Sequence, residues 1–148
     1  MRYIILFAMF LMPHTVIGET PDQDSRAIDC LAKNMYYEAR GEILKGIKAV
    51  GHVTMNRVKA NGFPNSVCGV VTQKIKSQCQ FSWVCMKSLP RIRREIYDDI
   101  KQMAEEIYYG ESHDPTKGAT HFHSKHINPG WSKHKRTANI GNHVFYKA

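Results

Sequence analysis

The chain has 148 residues and a formal net charge of +8, from 21 Lys and Arg residues against 13 Asp and Glu residues. This length predicts one compact domain, since two domains of half this size would each be too small to bury a sufficient core. Apolar residues at 43% and charged residues at 23% are typical of a globular protein, and no apolar run reaches the roughly 18 residues of a membrane-spanning helix, so a disordered chain, a transporter and a multidomain assembly are excluded.

The first 18 residues have the layout of a secretory signal peptide. Arg2 supplies a positive charge, residues 3–12 (YIILFAMFLM) are an unbroken apolar run, and residues 16–18 (VIG) suit a cleavage site at their end. We therefore expect residues 1–18 to be removed and residues 19–148 to be exported to the periplasm or cell wall, without a stable membrane span. A buried N-terminal element and a retained membrane anchor are the alternatives.

Export makes disulfide bonds expected among the four cysteines, which are Cys30, Cys68, Cys79 and Cys85. Their spacing contains no C-x-x-C pair, which makes a zinc site a weak interpretation. Four cysteines allow three full pairings, and the sequence does not choose among them. We expect at least one bridge among the last three cysteines, which would close the loop that presents residues 80–83 (QFSW).

Three segments carry apolar residues at the spacing of an amphipathic helix. The first begins at a cap on Asp24 or Ser25 and stops at Gly41, and the third, which we expect to be the longest, begins at Ser88 and ends at Gly110. The apolar positions are Ile28, Leu31, Met35 and Ala39 in the first segment, Ile43, Ile47, Val50, Thr54 and Val58 in the second, and Ile92, Ile96, Ile100, Met103 and Ile107 in the third.

Turns and short alternating runs complete the pattern. Residues 61–65 (NGFPN) predict a turn, after which Ser66 can cap a short helix through Val71. Residues 119–124 and 142–146 alternate between apolar and polar residues, which predicts a small antiparallel sheet. Helices followed by a small sheet indicate the α+β class, with a mainly helical N-terminal part and the sheet in the C-terminal part.

The segment most suggestive of chemistry is YYEARGE at residues 36–42. If the first helix forms, Leu31, Met35 and Glu38 lie on one face, and Glu38 sits at the inward end of the helix among apolar and aromatic neighbours. Desolvation there would raise the pKa of the carboxyl and let it hold a proton near neutral pH. On spacing alone, an ordinary Glu that pairs with Arg40 or caps the next helix is favoured.

Seven blocks of sequence, in order along residues 27–146, together resemble the SleB-type cell-wall hydrolases. That family includes spore-cortex-lytic enzymes and their phage and Gram-negative relatives. The blocks are YYEARGE at 36–42, NRV at 56–58, FPNSV at 63–67, CQFSW at 79–83, GATHF at 118–122, NPGW at 128–131 and IGNHVF at 140–145. The resemblance implies a single lysozyme-like catalytic domain over residues 19–148 that acts on peptidoglycan as a lytic transglycosylase. Spore-specific glycan preference is not carried over, because the chain has no room for the separate peptidoglycan-binding domain that spore members usually have.

The family's general acid is the first Glu of its E-A-R-G-E motif, which falls on Glu38. The second Glu, Glu42, is expected to support the junction between the helices, together with Arg40 and Asn56. Aromatic, amide, hydroxyl and imidazole side chains in the later blocks are expected to bind sugars, which can stack on aromatic rings and hydrogen-bond through their hydroxyl and acetamide groups. They are Gln80, Phe81, Ser82, Trp83, His121, Phe122, Asn128 and Trp131. A core position is the alternative for each aromatic residue.

The chemistry fits a single catalytic carboxylate, Glu38, because no other Asp or Glu lies in a comparably motif-like setting, and this favours a transglycosylase over a hydrolase. Hydrolases of glycosidic bonds usually use a second carboxylate to activate water or to form a glycosyl-enzyme. A transglycosylase needs only Glu38, which would protonate the oxygen between N-acetylmuramic acid (MurNAc) and N-acetylglucosamine (GlcNAc). The carboxylate would then take the proton of the sugar's own 6-hydroxyl as a 1,6-anhydro ring closes. A lysozyme-type hydrolase is the nearest alternative.

Two other classes of function remain as alternatives. His121 and His123 would lie on one face of a strand, as ligands of a zinc-dependent amidase or peptidase would, but the chain has no H-E-x-x-H motif and no acidic ligand close by. A non-enzymatic binder of nucleic acid or wall polymer would need basic and aromatic residues interleaved over a sheet, and residues 134–136 (HKR) are only a short basic cluster. We therefore predict a monomeric enzyme of bacterial or phage origin that acts on peptidoglycan glycan strands, with no metal, no cofactor and no nucleic-acid partner.

Overall fold

Helices dominate the first part of the chain and strands the last part. The computed structural model describes residues 21–130 and 134–148. In chain order the elements are α1 (Pro21–Ala39), α2 (Leu44–Lys59), α3 (Val67–Thr72), β1 (Lys74–Ile75), β2 (Gln78–Cys79), a 3-10 turn (Ser82–Cys85), α4 (Arg94–Tyr108), β3 (His121–Ser124), β4 (Lys135–Ile140) and β5 (His143–Lys147). The α+β class predicted from the sequence is confirmed.

Two sequence predictions fall outside the described ranges. They are the signal peptide at residues 1–18 and the sugar-binding role of Trp131, and both stay predictions. Within the described ranges, no helix is both long enough and apolar enough to cross a membrane.

The helical core forms where the apolar stripes of α1, α2 and α4 meet. Its buried members include Ile28, Leu31, Met35 and Ala39 of α1, Ile47 and Val50 of α2, and Ile100, Met103 and Ile107 of α4. Gly51 of α2 lies where the three helices approach most closely: a Cβ there would be 2.8 Å from Met35 Sδ and 2.8 Å from Ile107 Cδ1. A larger residue here would make the ends of the Met35 and Ile107 side chains shift, so glycine lets α1 and α4 pack closely on α2.

Two helix starts differ from the prediction. α1 already includes Pro21, the first described residue, so it extends past the expected caps at Asp24 or Ser25. α4 begins at Arg94 instead of Ser88, and its 15 residues make it shorter than the 19-residue α1, so the expectation of a longest helix here is wrong.

Tertiary contacts explain the late start of α4. Arg93 N donates a hydrogen bond to Tyr36 Oη at 2.9 Å, and Tyr37 Oη donates to Pro90 O at 3.4 Å. Pro90 also disfavours a helical conformation in the residue before it. The segment ahead of α4 is therefore held against the last turns of α1 instead of extending the helix.

The short helix α3 is fixed at its start by a cap and a covalent bond. Ser66 is the N-cap, as predicted, and its side-chain oxygen accepts a hydrogen bond from Gly69 N at 3.2 Å. A disulfide between Cys30 and Cys68 ties α3 to α1. The sequence had left this pairing open.

The loop between α3 and α4 begins with a hairpin of β1 and β2 that the sequence analysis did not predict. Its strands are two residues long and mostly exposed, so they have no alternation of apolar and polar residues from which they could be predicted. A disulfide between Cys79 and Cys85 then closes the part that presents residues 80–83. This bond confirms the predicted bridge among the last three cysteines.

The C-terminal sheet is antiparallel with the strand order β3-β5-β4. The predicted runs at 119–124 and 142–146 correspond to β3 and β5, whereas β4 was missed because its sequence, KRTANI, has little apolar alternation. The sheet packs on α2 through a second core, whose buried members are Ala49, Val53, Ala119, Ile140 and Phe145. One face of α2 therefore supports the helical core and another supports the sheet.

Candidate active site

Glu38 lies in the last turn of α1, and its carboxyl is largely desolvated. Burial raises the pKa of Glu38 to about 7, and the positive charge of Arg57 limits the rise. No described residue donates a hydrogen bond to this carboxyl, and its oxygens keep some contact with solvent. The group can therefore hold a proton near neutral pH and remain reachable by a ligand.

Arg57 lies in the last turn of α2 and is only 5% exposed. Its Nε donates a hydrogen bond to Thr120 O at 2.7 Å, and its Cζ lies 5.4 Å from the ring centroid of Phe63 and 5.0 Å from that of Phe81. Burial lowers the pKa of Arg57 to about 10, and the charge of Glu38 opposes this change. Nη1 is buried, and no described residue accepts a hydrogen bond from it.

A buried polar contact fixes how α1 and α2 pack beside the two charged groups. Asn34 Nδ2 donates to Thr54 Oγ1 at 3.1 Å, and Asn34 Oδ1 accepts from Trp83 Nε1 at 2.9 Å. Asn34 precedes Glu38 by about one helical turn, and Thr54 precedes Arg57 by about one turn. The sequence analysis missed Asn34, because an amide between apolar positions of a helix gives no sign of its burial.

The loop closed by Cys79–Cys85 packs against α1 through Trp83. The Trp83 ring stacks on Tyr37 with centroids 4.8 Å apart, and the side chain is half-buried. Phe81 is only 2% exposed and packs under the Arg57 guanidinium, so its ring supports that charge and offers no open face to a sugar.

The predicted polar residues of this loop lie in two environments. Gln80 is half-buried and donates its backbone N–H to Gln73 O at 3.0 Å, whereas Ser82 is exposed. Both flank Phe81 along the chain, so the loop presents them on either side of a buried anchor.

His121 brings the sheet to the same region. The His121 Nδ1 lies 3.0 Å from Thr120 Oγ1, and its ring centroid lies 6.0 Å from that of Phe63 and 5.0 Å from that of His134. Burial lowers the pKa of His121 to about 4, and the charges of Arg57 and His134 lower it further. The imidazole is therefore neutral at neutral pH.

Phe122 and Asn128 are the two remaining predicted sugar-binding residues within the described ranges. Phe122 packs between the two cores, with its ring centroid 5.8 Å from that of Phe145 and 5.1 Å from that of His143. Asn128 is exposed, and its Oδ1 accepts a hydrogen bond from Gly130 N at 3.1 Å within its own loop.

Glu42 joins the α1–α2 junction to the β4–β5 turn. Its Oε2 accepts a hydrogen bond from Asn142 N at 2.8 Å, and its Oε1 accepts from Asn142 Nδ2 at 3.1 Å. Arg40 is exposed, and its Cζ lies 5.1 Å from the Tyr36 ring centroid.

Asn56 joins α2 to the loop before β3. Its Nδ2 donates to Asp114 Oδ2 at 2.9 Å and to Ala119 O at 3.0 Å. Asp114 also accepts hydrogen bonds from the backbone N–H groups of Thr116 and Gly118. The sequence analysis missed Asp114, whose role depends on partners more than 50 residues away on α2.

A cavity of about 680 Å³ opens at the end of α1 that is remote from Glu38. It lies between the starts of α1 and α3 and the ends of α2 and α4, and none of the predicted site residues lines it.

Across residues 21–130 and 134–148, no three His, Cys, Asp or Glu side chains come together as a metal ion would require.

Comparison with known proteins gives one family match and several relatives. The sequence model of the family described as Cell Wall Hydrolase matches residues 41–146, more than half of the chain, and begins three positions after Glu38. A spore cortex-lytic enzyme of Halalkalibacterium halodurans is 29% identical over 121 residues, which are 80% of this chain and 34% of that enzyme. The chain thus spans about a third of that relative's length.

Two solved structures share the fold. The catalytic domain of the Bacillus cereus SleB protein matches with a TM-score of 0.61 and 26% identity, covering 88% of this chain and 94% of that domain. The catalytic domain of the germination-specific lytic transglycosylase SleB from Bacillus anthracis matches with a TM-score of 0.53 and 26% identity, covering 92% of this chain and all of that domain. The expected resemblance and the lysozyme-like fold are confirmed.

Proposed function

The chain belongs to the cell wall hydrolase family, and we propose that it cleaves the MurNAc–GlcNAc glycosidic bond of peptidoglycan as a lytic transglycosylase. The observation that carries the proposal is Glu38, a carboxyl with a pKa of about 7 and no hydrogen-bond partner among the described residues. A general acid works best when its pKa lies near the working pH, because a large fraction is then protonated and the proton is still readily transferred.

In the proposed reaction, Glu38 acts first as an acid and then as a base. Its proton passes to the glycosidic oxygen as the bond between that oxygen and C1 of MurNAc breaks, which releases the GlcNAc end as an alcohol. The 6-hydroxyl oxygen of the same MurNAc then forms a bond to C1. Its proton returns to the Glu38 carboxylate, so the enzyme regains its starting state and no water is consumed.

The states of the other carboxylates favour a transglycosylase over a lysozyme-type hydrolase. A hydrolase would need a second carboxylate free to activate water or to attack the sugar. Glu42 is engaged by Asn142, and Asp114 is engaged by Asn56, Thr116 and Gly118. Neither carboxylate is available in the way that Glu38 is.

Sugar binding is assigned to side chains that keep exposed surface near Glu38. Trp83 offers a half-buried indole edge beside α1, and Gln80 and Ser82 of the same loop add polar groups. His121, held neutral, can exchange hydrogen bonds with an acetamide or hydroxyl group without bringing a charge. Asn128 stays a proposed sugar contact.

We also propose that the enzyme works outside the cytoplasm. Two disulfide bonds are typical of proteins that fold in an oxidising compartment, and peptidoglycan lies in such a compartment. The predicted signal peptide would deliver the chain there.

The product distinguishes the proposed reaction from its alternatives. Purified peptidoglycan is digested, and half of the sample is treated with borohydride before mass spectrometry. We expect muropeptides that end in 1,6-anhydro-MurNAc, lighter than the hydrolysed form by one water and unchanged by borohydride. Muramic ends that gain two hydrogens would instead mark a hydrolase, and free peptides with intact glycan would mark an amidase.

A further inference from the structure

We propose that Arg57 is a positioning residue that compensates the negative charge on Glu38 each time this carboxyl gives up its proton. Arg57 acts through Glu38 and does not itself touch the sugar. The inference rests on the proposed function, because it concerns the acid of the same site.

The first support is an unpaired donor. The Arg57 side chain is 5% exposed, and its Nη1 is buried with no hydrogen-bond acceptor in the described part of the chain. Burying a cationic N–H group without an acceptor is costly, so such a group calls for a reason. The reason we infer is that the guanidinium stabilises the negative charge that forms nearby when Glu38 ionises.

The second support is the set of charged groups around the guanidinium. Glu38 faces it from α1 and His121 faces it from β3, while His134 lies next to His121 ahead of β4. The imidazole of His121 is held neutral by burial and by the positive charge of Arg57. Of these groups, Glu38 alone can therefore carry a negative charge that pairs with the Arg57 guanidinium.

The third support is that the guanidinium is held in place independently of Glu38. Its Nε is bonded to Thr120 O at 2.7 Å, and the rings of Phe63 and Phe81 lie against it. Phe81 is itself anchored in the loop closed by Cys79–Cys85. A charge that is fixed in advance stabilises a developing carboxylate without having to reorganise during the reaction.

This arrangement balances two demands on Glu38. Burial favours the protonated form that donates, whereas Arg57 favours the carboxylate that is left behind and later accepts the 6-hydroxyl proton. Without the guanidinium, Glu38 would keep its proton to higher pH and release it less readily. A lysine could supply the charge but not the planar contact with Thr120 O and two rings.

The test follows the titration of Glu38 directly, so it does not depend on turnover. Carboxyl carbons of ¹³C-glutamate-labelled enzyme are followed by NMR from pH 4 to 9, and the Glu38 signal is identified by its loss in Glu38→Gln. In Arg57→Met we expect the Glu38 midpoint to move upward by about one pH unit or more, as loss of a nearby opposite charge predicts. In Arg57→Lys, which keeps the charge, the midpoint should stay closer to that of the wild type. An unchanged midpoint in folded Arg57→Met overturns the proposal.

A second measurement uses only proteins whose Arg57 is intact, in case Arg57→Met does not fold. The ¹³Cζ signal of Arg57 is followed over the same pH range in the wild type and in Glu38→Gln. We expect it to shift with the Glu38 midpoint in the wild type and to stay flat in the variant. If the chemical shift of Arg57 ¹³Cζ does not change as Glu38 titrates in the wild type, Arg57 is only a packing residue.

Activity separates this inference from the proposed function. If Glu38→Gln still releases muropeptides, the proposed function fails, whatever the titrations show. If Glu38→Gln is inactive while the Glu38 and Arg57 signals titrate independently of each other, the proposed function stands and the role of Arg57 fails. If the proposed function and the role of Arg57 are both correct, the alkaline limb of the pH–rate profile should move to higher pH in Arg57→Met, and the maximal rate should fall.

Discussion

The end of α1 and the loop before β3 each hold a partly buried carboxylate, and the two groups are driven in opposite directions. Burial raises the pKa of Glu38 to about 7, and only the charge of Arg57 opposes it. Burial alone would raise the pKa of Asp114 too, but hydrogen bonds from Thr116, Asn56 and Gly118 lower it below its usual range. The number of donors that reach the carboxylate decides which effect wins.

The two carboxylates depend on neighbouring residues of α2. Asn56 donates a hydrogen bond to Asp114, and Arg57 places its charge by Glu38. A direct donor makes Asp114 a fixed link between α2 and the sheet. A nearby charge, with no hydrogen-bond donor to Glu38 among the described residues, leaves this carboxyl able to exchange its proton.

Removing the carboxyl of Glu38 should have the largest effect. Glu38→Gln keeps the shape of the side chain but cannot donate a proton, so we expect the rate of muropeptide release to fall by about 10²–10⁴-fold. Glu105→Gln, at an exposed position on α4, is the matched control and should keep the wild-type rate. Retention of more than about a hundredth of the rate by Glu38→Gln would contradict the proposed acid.

The same variant should change how stability depends on pH. The folded pKa of Glu38 lies above its unfolded value of 4.5, so its contribution is fully present below about pH 4.5 and is lost as pH rises through about 7. From pH 4.5 to 8 the free energy of unfolding of the wild type should therefore fall relative to Glu38→Gln by about 2–3 kcal/mol. Urea unfolding at several pH values measures the difference, and parallel curves would show that burial of Glu38 costs nothing.

Asp114 should give the opposite sign and a somewhat smaller effect. Asp114→Asn places an amide where four donors from three residues converge, so we expect the free energy of unfolding at pH 7 to fall by about 2 kcal/mol. Because the folded pKa of Asp114 is lowered, its contribution is present above about pH 3.8 and is lost as pH falls below that value. Asp98→Asn, at an exposed position on α4, should change stability by less than about 0.5 kcal/mol. Equal losses in the two variants would show that the hydrogen bonds to Asp114 do not stabilise the fold.

Glu42 should give the smallest effect. Glu42→Gln keeps one acceptor for Asn142 and loses the other, which should lower the free energy of unfolding by about 1 kcal/mol. We expect the rate per folded molecule to stay close to that of the wild type, because Glu42 holds a turn and donates no proton to the sugar. A large loss of rate with unchanged stability would assign chemistry to Glu42.

Local patterns in the sequence were sufficient for the elements whose stability is set by their own residues. The apolar stripes of α1, α2 and α4 and the Ser66 cap of α3 were found in this way, because helical spacing and a capping hydroxyl act within a few residues. The burial expected for Glu38 followed from the same spacing, and its suggested role came from the resemblance. Strand β4 and the start of α4 were not found, since one depends on pairing with β5 and the other on contacts with Tyr36 and Tyr37.

The sequence by itself thus determined the class of fold, the family resemblance and the position of the candidate acid. Only the tertiary structure decided the surroundings of that acid: the Arg57 charge from α2, the neutral His121 from β3 and the buried Phe81 beneath the guanidinium. These groups lie between 19 and 83 positions from Glu38 along the chain. A carboxyl's proton affinity depends on desolvation and on charges within a few ångströms, and the packing of distant segments sets both.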